Sequence, residues 1–196
     1  MKKIIERLEK KWGLFEKDKY LLKQCDTSNK KKQSYLNVLF DAVDLGKLQK
    51  VKDIFNCEIP LELLDFYKSF NGIMLFSESL RIYGLESNPN ALYDPYDIIH
   101  QNEDDNICSY GEQYSNFVVF GYYSYFLFCF DKTNFEFLYV FDTRQKKIVY
   151  EFETMHGLIT HYVDYFINEY DNDGKKIHYD KSLEGLPIAN VSLEFI

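Results

Sequence analysis

The sequence lacks closely spaced cysteines. Its four cysteines lie far apart and form no C-x-x-C pair; they are Cys25, Cys57, Cys108 and Cys129. This spacing predicts neither a disulfide framework nor a zinc site. Cys57 and Cys129 stand in apolar surroundings, which is typical of buried thiols. We therefore expect a cytoplasmic protein, in a reducing compartment, without a metal or other cofactor.

Long apolar segments are also missing. The chain starts Met1-Lys2-Lys3-Ile4-Ile5-Glu6-Arg7, which places charged residues where a secretory signal would need its apolar segment. No run approaches the ~18 apolar residues of a membrane span. We therefore expect neither a signal peptide nor contact with a membrane.

Recognisable catalytic signatures are absent as well. The sequence has no G-x-S-x-G elbow, no P-loop and no G-x-G-x-x-G turn. His156 and His161 are five residues apart, a spacing that separates two side chains on a helix by roughly 140°. Histidines that share a metal on a helix usually stand three or four residues apart. We therefore expect neither an enzyme nor a metal-binding protein.

Aromatic residues, by contrast, are abundant. The chain has 17 Tyr and 17 Phe among 196 residues, and 46% of it is hydrophobic. A chain of this length and composition can bury a large core in one domain. Two interpretations of the aromatic surplus stay open. In the first, some of the aromatic residues line a recognition surface, where tyrosine combines apolar area with a polar tip. In the second, all of them belong to a core built from Phe and Tyr.

Charge is distributed unevenly along the chain. Of the 23 basic and 31 acidic residues, residues 1–52 hold 14 and 7, and residues 53–196 hold 9 and 24. The acidic part argues against direct nucleic-acid binding, because positive charge supplies most of that affinity. It suits a basic protein partner, whose association complementary charge would accelerate. Ordinary solubility, or attraction between the two parts within one fold, would explain the same charges.

The first quarter of the chain is predicted to be helical. Residues 2–12 give a helix with an apolar face made by Ile4, Ile5, Leu8 and Trp12. Residues 24–33 are polar and aperiodic and predict a loop. Further helices are expected over 47–55 and over 34–44, the latter with an inward face of Leu36, Leu39, Phe40 and Val43. Residues 1–54 thus form a helical N-terminal extension in this interpretation.

The stretch 59–72 carries the sharpest local signals. Pro60 suits the first turn of a helix, where its missing N–H is no loss. An apolar stripe at helical spacing follows it: Leu63, Phe66, Tyr67 and Phe70. Asn71-Gly72 suits the end of that helix, because both residues tolerate positive φ. Residues 73–85 then predict one or two short strands, and residues 93–102 a short helix.

The remainder of the chain predicts an antiparallel meander. Gly121 and Ser124 divide the aromatic block 117–130 into two strands joined by a turn or a bulge. Such an apolar run implies strands covered on both sides, or one exposed face lined by tyrosines. Strands at 135–141 and 147–152, a helix at 154–170 and a weak strand at 190–195 follow. We expect a single α+β domain, with its core at about 55–168 and a tail from 171 to 196.

The segment 93–112 is the candidate partner-binding surface. It mixes tyrosines with carboxylates, a combination that suits recognition of surfaces rich in Lys and Arg. The candidate residues are Tyr93, Asp94, Tyr96, Asp97, Glu103, Asp104, Asp105, Tyr110 and Glu112, with a second set of Tyr122, Tyr123 and Tyr125. The alternative interpretation is a solvated acidic loop.

The order of these signals resembles the SUKH superfamily of bacterial toxin-immunity proteins and a fungal cell-wall-assembly regulator. The resemblance covers about 55–168 and is carried by Ile59-Pro60 and its helix, Phe70-Asn71-Gly72, Ile82-Tyr83-Gly84, and Phe120-Gly121 heading a strand. The chain departs from the family in having no Trp near Phe120-Gly121, since its only Trp is Trp12. The shared residues determine the fold and include no catalytic set, and a fold does not dictate a function.

The resemblance implies a non-enzymatic, cytoplasmic protein that binds and neutralises the C-terminal domain of a cognate toxin, often a nuclease. The acidic part of this chain would suit the basic active-site surface of such a toxin. The alternatives are a regulatory protein-interaction module of the cell-wall or signalling type, and a small-molecule-binding domain that uses the aromatic sheet as a pocket.

Overall fold

One antiparallel sheet organises the described part of the chain. The computed structural model describes residues 1–13, 21–25, 34–44, 46–76, 79–87, 94–104 and 107–177. Within these ranges eight strands form one sheet in chain order, so that each strand pairs with the next. The strands are β1 (Leu21–Cys25), β2 (Ser34–Asp41), β3 (Phe70–Leu75), β4 (Leu80–Ile82), β5 (Phe117–Tyr123), β6 (Phe126–Asp131), β7 (Asn134–Asp142) and β8 (Lys147–Phe152). The predicted α+β fold with an antiparallel meander is confirmed.

Helices flank this sheet. They are α1 (Lys2–Trp12), α2 (Gly46–Phe55), α3 (Leu61–Tyr67), α4 (Ile98–Asp104) and α5 (Met155–Phe166), with two 3-10 turns at Ile107–Tyr110 and Glu112–Tyr114. The helices predicted at 2–12 and 47–55 are confirmed, and the helix predicted at 154–170 is found but ends earlier, at Phe166. In the described ranges, no helix has both the length and the apolar character that a bilayer crossing requires.

Helix α5 covers one face of the sheet. Its Tyr162 ring lies 5.0 Å from Phe128 and 5.4 Å from Tyr123, measured between ring centroids. Helix α1 holds the end of α5 and the residues after it: Lys11 Nζ donates to the carbonyl of Ile167, which caps α5, and to the Tyr170 carbonyl at 2.6 Å, and Trp12 Nε1 donates to the Asp171 carbonyl at 2.8 Å. A lysine in this place satisfies carbonyls that the end of a helix leaves without partners.

The opposite face carries a row of paired residues that crosses five strands. Register pairs link Met74 to Arg81, Arg81 to Tyr122, Tyr122 to Leu127 and Leu127 to Phe141. Leu127 neighbours Phe128 in sequence, and successive side chains of a strand point to opposite faces. The row therefore lies on the face away from α5, and the connection between β4 and β5 packs over it.

The predicted helix at 34–44 is wrong. Residues 34–41 form β2, which pairs with β1 and β3, so the basic N-terminal part contributes two strands to the sheet and is no helical extension. Leu36, Val38 and Leu39 are buried, and so is Asn37, whose Oδ1 accepts the Phe76 N–H at 3.0 Å. A strand buried on both faces shows no alternation, and its short apolar run imitates helical spacing.

The predicted end of the helix after Pro60 is also wrong. Helix α3 ends at Tyr67, and Phe70, Asn71 and Gly72 belong to β3. The antiparallel hairpin of β3 and β4 agrees with the strands predicted at 73–85. The predicted strand at 190–195 and most of the predicted loop at 24–33 lie outside the described residues; Gln24 and Cys25 belong to β1.

Candidate functional site

The segment that begins at Asp94 is held against the sheet by a tight backbone junction. Gly84 follows β4, and its N–H donates to the Tyr96 carbonyl at 2.7 Å, while its own carbonyl accepts the Ile98 N–H at 2.9 Å. A Cβ on Gly84 would lie 2.7 Å from the Asn71 carbonyl and 2.9 Å from Pro95 Cβ. Only glycine allows so close an approach.

Asn71 and Gly72 complete this junction. Asn71 Oδ1 accepts the Leu85 N–H at 2.7 Å, and Asn71 Nδ2 donates to the Glu86 carbonyl at 2.8 Å. Gly72 has φ of 92°, and a Cβ there would meet the Ile82 carbonyl at 2.7 Å. Gly121 marks a third close approach of this kind, since a Cβ there would lie 2.4 Å from the Arg81 carbonyl.

Arg81 lies under the segment and is almost completely buried. Its exposed fraction is 2%. Its Nη1 donates to the Asp94 carbonyl at 2.9 Å and its Nη2 to Met74 Sδ at 3.3 Å. The Tyr96 ring centroid lies 3.8 Å from the guanidinium carbon, within the range of a cation–π interaction. Arg81 thus fixes the segment through its backbone and through an aromatic ring.

Tyr96 is the exposed part of this arrangement. Its side chain is 37% exposed, although its inner part rests on Arg81. Its φ is 59°, in the left-handed region that a residue with a large side chain seldom adopts. The Tyr96 N–H donates to Asp94 Oδ1 at 3.0 Å, which stabilises the turn. An uncommon backbone conformation is therefore maintained by several surrounding contacts, and it displays an aromatic ring to solvent.

Asp97 begins the helix that follows. Its Oδ1 accepts the Ile99 N–H at 2.7 Å, the arrangement of an N-cap. Asp97 is half-buried, and one of its carboxylate oxygens is occupied by capping the helix. Charge tests at this position therefore need a substitution that preserves the cap.

The structure brings only part of the predicted surface together. Asp94, Tyr96 and Asp97 form one group, and Glu103 lies six residues along α4 from Asp97, about 9 Å by helical rise. Glu103 is exposed and its Oε2 lies 3.5 Å from His100 Nδ1. Asp104 ends α4. Tyr93 and Asp105 lie outside the described residues.

Two other predicted residues lie on the 3-10 turns. The ring of Tyr110 packs 5.2 Å from Phe141, so this tyrosine mainly covers the sheet. Glu112 is exposed at the start of the second turn. Both stay predictions, since Tyr110 packs over β7 whereas Tyr96 packs over Arg81 of β4.

The second predicted set separates into three environments. Tyr123 is 5% exposed and packs on Tyr162 and Phe166, and burial raises the pKa of its hydroxyl. It therefore belongs to the core and is removed from the candidate surface. Tyr122 is half-buried beside Arg81 in the row on the opposite face. Tyr125 lies in the β5–β6 turn, under the guanidinium of Arg144.

Other titratable groups have structural surroundings. Cys129 is buried, as predicted, whereas Cys57, also predicted to be buried, is half-buried. Burial raises the pKa of both thiols. Burial lowers the pKa of His161, which packs between Tyr150 and Phe152. In the part of the chain that the structure describes, no three His, Cys, Asp or Glu side chains are grouped so that they could hold a metal ion.

Sequence reasoning missed Arg81. The alternation Leu80-Arg81-Ile82 is typical of a strand, and an arginine in such a pattern is ordinarily solvated. The residues around Arg81 in the sequence are strongly apolar, and this could have indicated that it is buried. A strand that pairs on both sides, in a sheet covered by other segments, buries even its polar residues.

The chain was compared with known proteins. No model of a known protein family matches it, and no curated protein matches it either.

Proposed function

We propose that this chain is a non-enzymatic protein-binding domain that recognises a basic partner through the surface around Tyr96, and that it acts as an immunity protein against a cognate toxin. The observation that carries the proposal is the ring of Tyr96, exposed to solvent and fixed by Arg81 and Gly84. An aromatic side chain that is already ordered loses little entropy on binding, which is a property of interface hot spots.

Charge around Tyr96 supports a cationic partner. Between 94 and 112 the sequence holds six carboxylates and no Lys or Arg. A lysine or arginine of a partner would contact the Tyr96 ring on its exposed side and the neighbouring carboxylates at the same time. The resemblance to SUKH proteins supports the choice of an immunity protein, and the regulatory interaction module is the alternative that would use the same surface.

The first test is calorimetric titration with the C-terminal domain of the protein encoded immediately upstream. We expect a saturable 1:1 complex with a nanomolar or tighter Kd that weakens as salt is added, because complementary charge is screened. No heat at micromolar concentrations, with circular dichroism showing both proteins folded, would refute the pairing and favour the regulatory module.

A matched pair of variants tests the surface itself. Tyr96→Ala should weaken the complex by about thirtyfold or more, the effect of losing a hot spot of roughly 2 kcal/mol. Phe135→Ala is the control, since Phe135 is 40% exposed against 37% for Tyr96. Equal effects of the two substitutions would place the interface elsewhere.

A further inference from the structure

The turn between β7 and β8 displays a cluster of positive charge on an acidic protein. Arg144, Lys146 and Lys147, which we call the basic turn, are all exposed, whereas the chain as a whole has a net charge of −8. In the ranges that the structure describes, neither Lys146 nor Lys147 forms an ion pair. The basic turn shares no residue with the surface around Tyr96.

A buried carboxylate anchors the basic turn. Asp142 is completely buried, and its Oδ1 accepts the N–H groups of Arg144 and Gln145 at 2.8 and 3.1 Å. Its Oδ2 accepts Gln145 Nε2 at 3.0 Å and lies 3.5 Å from Arg144 Nη2. These hydrogen bonds fix the backbone from which the cationic side chains project.

Neighbouring segments hold the same turn from outside. Thr143 donates both its N–H and its hydroxyl to the Tyr125 carbonyl, each at 3.0 Å. The Tyr114 hydroxyl donates to the Lys146 carbonyl, also at 3.0 Å. Three separate segments thus meet at this exposed turn and restrain it.

Arg144 is oriented before any ligand arrives. Its guanidinium carbon lies 3.2 Å from the centroid of the Tyr125 ring, yet half of the side chain remains exposed. A guanidinium held in this way loses less conformational entropy when it binds an oxyanion, and its planar N–H groups suit a carboxylate. One buried carboxylate needs one cation, so the two lysines exceed what Asp142 requires.

We infer that the basic turn is a second interaction surface, which binds a carboxylate-bearing segment of an acidic polypeptide. Three cations match two or three neighbouring carboxylates. A nucleic acid fits less well, because its affinity comes mainly from neutralising many phosphates and the basic turn offers only three cations. Arg144 also covers one face of Tyr125, where a base would otherwise stack.

The test is fluorescence anisotropy of labelled hexaglutamate, titrated with the full chain at low salt. The triple variant Arg144→Gln/Lys146→Gln/Lys147→Gln should bind at least fivefold more weakly than wild type. The control is Lys2→Gln/Lys3→Gln/Lys10→Gln, which removes the same charge from exposed positions of α1 and should bind within twofold of wild type. Arg144→Lys, which keeps the charge, should still weaken binding because it loses the planar fork.

Three results would overturn the inference. The first is that wild type does not bind hexaglutamate at millimolar protein concentration. The second is that the two triple variants lose equal affinity for hexaglutamate. Labelled hexathymidylate that binds more tightly than hexaglutamate, with the same dependence on the basic turn, would make this a nucleic-acid surface instead. Circular dichroism and urea unfolding of each variant separate lost binding from lost folding.

Discussion

Gly84→Ala tests whether the junction beneath Tyr96 is as tight as the distances indicate. The added methyl would lie 2.7 Å from the Asn71 carbonyl, 2.7 Å from Asn71 Oδ1 and 2.9 Å from Pro95 Cβ. The backbone of Gly84 is outside the left-handed region, so the cost is steric and does not arise from φ. Two of these three atoms belong to backbone or to the proline ring, which cannot rotate away.

The expected magnitude follows from two contributions. Overpacking of this kind costs about 1–3 kcal/mol. Displacing Asn71 would weaken its bonds to Leu85 and Glu86, at about 1 kcal/mol for each bond lost. We expect a loss of roughly 2–4 kcal/mol in the free energy of unfolding, equivalent to a fall in Tm of roughly 5–15 °C for a chain of this size.

Urea unfolding, followed by circular dichroism, measures this change. The midpoint should fall at an unchanged m value, since the surface exposed on unfolding stays the same. Gly157→Ala is the control, because a Cβ in that first turn of α5 meets only side-chain atoms, at 3.2 and 3.7 Å, and should change stability by no more than about 1 kcal/mol. Gly84→Ala with a stability within about 0.5 kcal/mol of wild type would refute the close approach.

Further predictions concern charge and pH. Burial holds the pKa of His161 below its ordinary value of about 6.5, so the unfolded chain binds more protons as pH falls and stability should drop between pH 7.5 and 5.5. Urea unfolding at several pH values should show a smaller loss of stability for His161→Phe than for wild type. An identical loss in the two proteins would contradict this role of His161. Burial alone would raise the pKa of Asp142, but hydrogen bonds from Gln145 and Arg144 hold that pKa below its usual range. The contribution of Asp142 to the free energy of unfolding is therefore lost only as pH falls below about 4. Asp142→Asn should lower the free energy of unfolding by about 1–3 kcal/mol at pH 7, because the new amide N–H₂ would face the donors of Arg144 and Gln145. Thermal unfolding of this variant at the wild-type Tm would argue against that expectation. Lys11→Met should cost about 1–3 kcal/mol and speed hydrogen exchange at the C-terminal end of α5, and unchanged exchange there would be the contrary result.

Apolar spacing predicted helices α1 and α5 because each of them buries one face only. Residues 2–12 and 155–166 show the helical stripe, and the turn residue Ser124 ends β5 as expected, with φ of 53°. The spacing failed in β2, where both faces of the strand are buried at residues 36–39 and even Asn37 has an exposed fraction of zero. Helical and strand periodicities cannot be distinguished in so short an apolar run.

The candidate site was only partly predictable for a related reason. Composition indicated tyrosines and carboxylates near 94–112, but which tyrosine is exposed depends on contacts between distant segments. Tyr122 and Tyr123 are neighbours in sequence, yet one lies beside Arg81 and the other packs beneath α5. Tyr96 is held in its exposed position by Arg81 in β4 and by Gly84 just after β4, and both lie beneath it. These contacts place it at the centre of the candidate surface.

The strict order of the sheet has a consequence for how this protein can vary. Every strand pairs with the one that follows it in the chain, and short turns join the strands from β5 to β8. The connection between β4 and β5, residues 83–116, is long by comparison and carries Tyr96 together with the acidic residues around it. Insertions and substitutions in the exposed part of this connection, away from Gly84, leave the strand register intact, whereas insertions in the short turns would not. On the proposed function, changes in partner specificity are therefore expected to accumulate in this connection, while the sheet beneath it changes slowly.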